Sequence, residues 1–380
     1  MESVGRLPAR QDNEQASALQ GQVVYVYAFD LAYDTKRVSI PTILGHPTHS
    51  YDSGPAKPVP RHGFFYRPQM VTLPVSRRES SFGSIEVTEA VKLFNVGAIS
   101  VQIRIPFEVS DIEDLVGYYH LKLDDKPIEV EAMELAERVR LELAPYFVRP
   151  VTDLLPGEDY TVFCVHQLPG VGTSTAARSE DWLMRHRRAV AGLLTQEQDA
   201  AQLSEQEAAE STERYLSYYE SDLVVVDWDA ALVIGERDSL EEVIHVVELA
   251  NVQLAELGAY DRVLDSALEL AYRDLARTRL GRRDVRRNLR EIRVDMARLN
   301  DELQNITKFF GDWHLAKIYQ NLSGRFHLGD WHGIINVKLR TLADLYQLLY
   351  QDWINSWMVV LEVTIVLLFI LDVILLLLGL

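Results

Sequence analysis

Glu362 and Asp372 are acids set in the most apolar stretch of the chain, Met358 to Leu380, which reads MVVLEVTIVLLFILDVILLLLGL. A carboxylate near the centre of a bilayer costs roughly 2.5 to 3.5 kcal/mol on insertion scales, so it is rarely found there without a partner. Ten residues separate the two acids, which on a helix is about 80° in azimuth and about 15 Å along the axis. Both therefore fall on one broad face. Two chemistries follow, a polar seam between the helices of an oligomer or a path for cations, and the plain alternative is a pair of protonated acids tolerated in a simple anchor.

Other residue sets carry weaker chemistry. Asp-Trp-His occurs twice, at Asp312-Trp313-His314 and Asp330-Trp331-His332. In one unbroken helix the spacing of about five turns would put both on one face and offer Asp and His to a metal. Gly324 and Gly329 lie between them, and the reading favoured is Asp as helix cap and Trp as packing. His46, His49 and His62 show no ligand spacing. Pro169-Gly-Val-Gly-Thr-Ser174 sits where a phosphate loop would, but it lacks the Gly-Lys-Ser/Thr ending and reads as a connection. Gly63-Phe-Phe-Tyr-Arg67 pairs aromatics with a cation and reads as packing. No nucleophile, base and orienter share a defensible spacing, so the expectation is not an enzyme, with no cofactor and no metal site.

The formal charge of −18 argues against general nucleic-acid binding, because phosphate rewards positive surfaces. The exception is local: nine arginines fall between Arg273 and Arg293. Of these Arg282, Arg283, Arg286, Arg287 and Arg290 form a candidate surface for anions or lipid headgroups. Glu197 to Asp222 carries eight acids and one base, Arg214, and the simpler reading is two solvated helix faces that pair with each other. A single cysteine, Cys164, excludes an intrachain disulfide framework and agrees with a reducing compartment.

The elements that must position these groups can be taken in chain order. Residues 1–20 have no apolar run and read as a disordered tail. Residues 21–170 read as an α+β domain with an antiparallel sheet. Its parts are a strand at Gln22–Phe29, a Pro-rich surface excursion at 41–74, and a hairpin over 85–105 whose alternation gives one buried and one wet face. A short helix after the capping-box sequence Ser110-Asp-Ile-Glu113, a helix at Pro127–Ala144 and a strand at Tyr160–His166 complete it. Residues 171–236 read as a linker with helices at Glu180–Leu194 and Leu203–Tyr218, followed by the hairpin LVVVDWDAALVI.

Long helices fill 237–357. The first opens at the capping box Ser239-Leu-Glu-Glu242 and shows 4-3 apolar spacing interrupted at Asp261. A stricter heptad seam follows at Leu289, Ile292, Met296, Leu299, Leu303, Ile306 and Phe310, which predicts a long coiled coil. The spacing resumes at Ile335, Leu339 and Leu342 and runs without a break toward Met358, predicting one continuous helix from about Asp330 into residues 358–380. Those 23 residues rise roughly 34 Å as a helix, enough to cross a hydrocarbon core of about 30 Å. Lys338 and Arg340 precede the span, so the positive-inside rule puts the rest of the chain on the cytoplasmic side.

From Leu223 onward the chain resembles the membrane-anchored family named for being required for meiotic nuclear division. The carriers are LVVVDWDAALVIGE, SLEEVIHVVELANVQLAEL, INVKLRTLADLYQLLYQDW and LEVTIVLLFILDVILLLL. The resemblance implies tethering and scaffolding at a membrane. Together these readings give an oligomeric, cytoplasm-facing scaffold, anchored in a lipid membrane, that presents its α+β domain to a protein partner. The alternative is a homo-oligomeric ion-conducting or gating protein using Glu362 and Asp372.

Overall fold

The computed structural model describes residues 18–36, 40–51, 68–166, 168, 178–276 and 313–378. Its strands begin with β1 (Leu19–Asp30), β2 (Ala32–Thr35), β3 (Thr42–Ile43), β4 (His46–Pro47), β5 (His49–Ser50), β6 (Gln69–Thr72) and β7 (Ser76–Ser80). The long hairpin β8 (Gly83–Leu93) and β9 (Ala98–Val109) follows, then a 3-10 helix at Ile112–His120, β10 (Lys122–Leu123), β11 (Lys126–Pro127), α1 (Ile128–Leu143), β12 (Phe147–Pro150) and β13 (Glu158–Val165). Next come α2 (Ser179–Arg185), α3 (Arg187–Leu194), α4 (Glu205–Ser211), β14 (Tyr215–Leu216), β15 (Leu223–Val226) and β16 (Ala230–Ile234). The helices α5 (Arg237–Ala276), α6 (Trp313–Arg325) and α7 (Leu328–Leu378) complete the description.

Two compact units emerge, the first carried by the described residues up to Ala255 with those of α6 and Phe326, the second by the rest of α5 and by the chain from His327. The first is built on a sheet in the order β14-β15-β16-β13-β1-β9-β8-β6-β5, with β7 also on β8. The sheet is mixed, which corrects the antiparallel expectation: β13 and β16 run parallel, Val162 opposite Ala231. Parallel neighbours need a crossover, and α2 to α4 with β14 and β15 lie in the connection between them. Period-2 alternation carries no trace of that pairing.

One face of the sheet buries the odd-numbered residues of β1 (Val23, Tyr25, Tyr27, Phe29) with Val101, Ile103 and Ile105 of β9, under Leu135 and Val139 of α1 and Val190 and Leu193 of α3. The other face was expected to be wet. Instead Lys92, Ser100 and Gln102 are buried there, because α5 lies over them and supplies partners. The fold is an α+β domain with helices on both faces of a mixed sheet.

Local departures have local causes. The expected helix at 180–194 is broken between α2 and α3, where His186 leaves helical geometry (φ −106°, ψ 17°). The expected helix at 203–218 shortens to α4, capped by the Ser204 hydroxyl, which accepts from the Glu207 amide at 3.0 Å, and the chain then turns into β14. Inside the Pro-rich stretch, β3 and β4 form a tight hairpin through Leu44 and Gly45 at positive φ, and β5 and β6 join the main sheet. Residues 1–17 and 52–67 lie outside the described residues.

In the second unit α5 buries Leu264 and Ala271, and α7 buries Ile335, Leu339, Leu342 and Leu345. The acid that interrupts the apolar spacing of α5 has a partner: Lys338 bonds Asp261 and Asp265 at 2.6 Å each. A long coiled coil is not shown. Leu289, Ile292, Met296, Leu299, Leu303, Ile306 and Phe310 lie outside the described residues, as do Arg282, Arg283, Arg286, Arg287 and Arg290. α7 is continuous over 51 residues.

Candidate functional site

The densest polar chemistry of the first unit lies between the sheet and α5. Glu241, His245 and Glu248 recur at helical spacing on α5, so they share the side that meets β8 and β9. Alternation along the strands brings Lys92, Ser100, Gln102 and Arg104 to the same layer, with Lys92 directly opposite Ser100. The Lys92 ammonium pairs with Glu248, and the Ser100 hydroxyl donates to the other oxygen of that carboxylate at 2.7 Å. Tyr51 covers the pair: its ring centroid lies 3.9 Å from Lys92 Nζ and 4.6 Å from the His245 ring. Arg104 binds Glu241 through two nitrogens and Gln102 Oε1 through two more bonds, at 2.9 and 2.6 Å.

The electrostatics follow from this enclosure. Burial alone would raise the Glu248 carboxyl, but Lys92 and His245 together hold it down to about 2. Burial holds His245 below the usual histidine range, Lys92 adds to that, and Glu248, 3.8 Å away, opposes it less strongly. Glu248 is thus ionised and His245 neutral near pH 7. Burial pushes the Cys164 thiol, on the same face, up to about 12, which makes it a poor nucleophile.

This group holds the residue types of a catalytic set, a serine, a lysine and a carboxylate, engaged with one another. The Ser100 hydroxyl donates to a carboxylate already engaged by Lys92. The side chains of Lys92 and Glu248 are 1% and 0% exposed. The arrangement ties α5 to β8 and β9 through side-chain bonds. Asn251 extends the same role by donating to the Glu158 carbonyl at 2.8 Å. Sequence reading passed over these residues. Their signal was the Glu241-His245-Glu248 spacing set against the alternating Lys92, Ser100, Gln102 and Arg104.

A second polar joint holds α6. Arg325 lies 3.4 Å from Asp227 Oδ1 and donates to the Glu210 carbonyl at 2.7 Å. The Tyr160 hydroxyl is shared between the carbonyls of Asp227 and Ala230 at 2.9 and 2.7 Å.

The residues singled out from sequence fall as follows. Glu362 and Asp372 both lie on α7 and are exposed, within a stretch, Trp357–Leu375, that is long and apolar enough to span a membrane. The two Asp-Trp-His triplets do not share a helix: Trp313 opens α6, whereas Asp330 sits in the first turn of α7, where it bonds His327 Nδ1 at 2.8 Å. His46 and His49 lie on separate short strands, and His62 is outside the described residues. Among the described residues no group of three or more His, Cys, Asp or Glu could hold a metal.

Comparison with known families decides the kinship. Residues 20–240, more than half of the chain, match the family described as uncharacterized protein MJ0711, N-terminal domain. The chain belongs to the MJ0711 N-terminal domain family. One relative, the uncharacterized protein MJ0711 of Methanocaldococcus jannaschii, is 23% identical over 249 residues, 65% of this chain and 74% of its own length. No solved structure matches. The MJ0711 match covers the sheet, α1 to α4 and the first turn of α5, so it includes Lys92, Ser100, Gln102 and Arg104 and stops just short of Glu241. It overturns the resemblance to the meiotic nuclear division family. A hairpin, a heptad-spaced helix and an apolar ending with an acid are what any packed helix and membrane-length segment require, and they do not identify a family.

Proposed function

We propose that this protein is anchored in a membrane by the apolar part of α7 and holds its α+β domain at the cytoplasmic surface, where it serves as an oligomeric scaffold or tether for a protein partner. The observation that supports this most directly is the exposure of every described side chain from Trp357 to Leu375. Nineteen residues rise about 28 Å as a helix, close to the thickness of a hydrocarbon core. An apolar surface of that size in water is a large penalty that a bilayer removes. The cytoplasmic side is inferred from Lys338 and Arg340 ahead of the span. A non-catalytic role is inferred from the lysine, serine and glutamate of the first unit, which are enclosed and mutually engaged.

Flotation of vesicles carrying the full chain, washed at alkaline pH, tests the anchor. The full chain should float, and a chain stopped before Trp357 should stay in the soluble fraction. A full chain released by the wash would overturn the anchor. Assembly is tested separately by mass in detergent: an oligomer that Leu299→Glu with Leu303→Glu dissociates supports the scaffold, and a monomeric wild type removes it.

A further inference from the structure

Arg340 is the last basic residue of the sequence: from Thr341 to Leu380 there is no Lys, Arg or His, while Glu362 and Asp372 stand inside the apolar stretch. Arg340 precedes Glu362 by 22 residues, about 33 Å along a helix, which no side chain can bridge. Lys338 is already held by Asp261 and Asp265. The Thr364 hydroxyl, also in the stretch, donates to the Val360 carbonyl at 2.7 Å and serves its own helix. Acids at these depths are expected to face a partner rather than lipid. A parallel copy of the same segment supplies two more carboxyl groups at matching depths and no cation, so it offers no opposite charge to either acid.

We propose that the Glu362–Asp372 face of α7 docks a membrane helix of a second, different protein, one that carries Lys or Arg at the depth of Asp372. This rests on the anchor reading above and names its partner by charge complementarity. Ile365 and Phe369 lie in azimuth between the two acids, about 60° and 20° from Glu362, so the docked helix packs on them while its cation meets Asp372. Glu362, about 15 Å nearer the Trp357 end, takes a second cation. Lipid-exposed Asp372 is thereby a recognition residue: it rejects partners that lack the base, since they leave the carboxylate unpaired.

The test reconstitutes the full chain, labelled at Asn355→Cys, into neutral phosphatidylcholine vesicles with one of two synthetic transmembrane peptides. One is a Leu/Ala helix with a single Lys placed at the depth of Asp372, about 9 Å past the midplane, and the other is the same helix without it. Energy transfer should report roughly three- to tenfold tighter association with the Lys peptide, the size of a polar contact between membrane helices. Asp372→Asn should abolish the preference, and Asp372→Lys should transfer it to a peptide bearing Asp. Equal association of the two peptides overturns the proposal, as does a preference that survives Asp372→Asn. Self-association of the labelled chain that depends on Asp372 and ignores the Lys peptide overturns it too, and assigns the acids to identical copies. Alkaline washing of the same vesicles separates the failures: a chain washed out refutes the anchor, whereas a chain retained without the preference refutes only the partner.

Discussion

The ammonium of Lys92 on β8 and the carboxylate of Glu248 on α5, 156 residues apart in the chain, form an ion pair with neither side chain more than 1% exposed. Breaking such a pair from one side leaves a charge in the interior. Lys92→Met or Glu248→Gln alone should therefore cost about 3 to 5 kcal/mol in urea unfolding followed by tryptophan fluorescence. Lys92→Met, Ser100→Ala and Glu248→Leu together remove every member of the set and should recover most of that loss. A combined variant no more stable than the singles would show that the pair contributes net stability beyond mutual compensation.

The neutral imidazole of His245 predicts acid sensitivity. Its folded-state pKa lies below its unfolded value, so the unfolded chain binds a proton near pH 6.5 that the folded chain does not. Stability then falls as the pH drops through that range, by at most about 1.4 kcal/mol per pH unit for one proton. Glu248, held below its ordinary 4.5, contributes in the same sense, its share being lost from there down to about 2. Glu89, Asp159 and Asp227 are raised by burial and oppose the loss. His332, also held below the usual histidine range by burial, contributes in the same sense, so the share of His245 is read from the difference between wild type and a variant at that position. The urea midpoint should drop between pH 7.5 and 5.5 in wild type and less in His245→Phe; an equal drop in both would exclude His245 as a cause.

These residues also show what could be read beforehand. The β8–β9 hairpin and α1 were legible because apolar positions repeat at 2 and at 3.6 residues, as was the β15–β16 hairpin because β-branched runs flank Asp227-Trp228-Asp229. The same alternation misplaced Lys92 and Arg104 in solvent, since a strand cannot announce that a helix 150 residues later will cover it. The parallel β13–β16 pair was hidden because register between distant strands leaves no local mark. Asp261 looked like a fault in the apolar spacing of α5, and its reason, Lys338, lies on another helix.

Gly21 offers a test of the sheet's closeness. A Cβ there would fall inside contact distance of the Cys164 carbonyl oxygen on β13 and 2.7 Å from the Phe107 ring on β9. Gly21→Ala should destabilise the domain by roughly 1 to 3 kcal/mol, the range for overpacking, and speed amide exchange along β13. Unchanged exchange at Val162 to Val165 would show that β1 shifts to make room.

The most direct measurement of the anchor is depth along α7. Cys164 is buried with its thiol pushed up to about 12, so spin labels attach selectively to cysteines introduced one at a time from Trp357 to Leu375. In vesicles the account predicts that collision with oxygen rises, and collision with a water-soluble nickel complex falls, smoothly toward Val366 and then reverses. An alternation with a period of about 3.6 residues would place the helix flat in the interface, and uniform access to nickel would place it in water; either result contradicts a membrane-spanning α7.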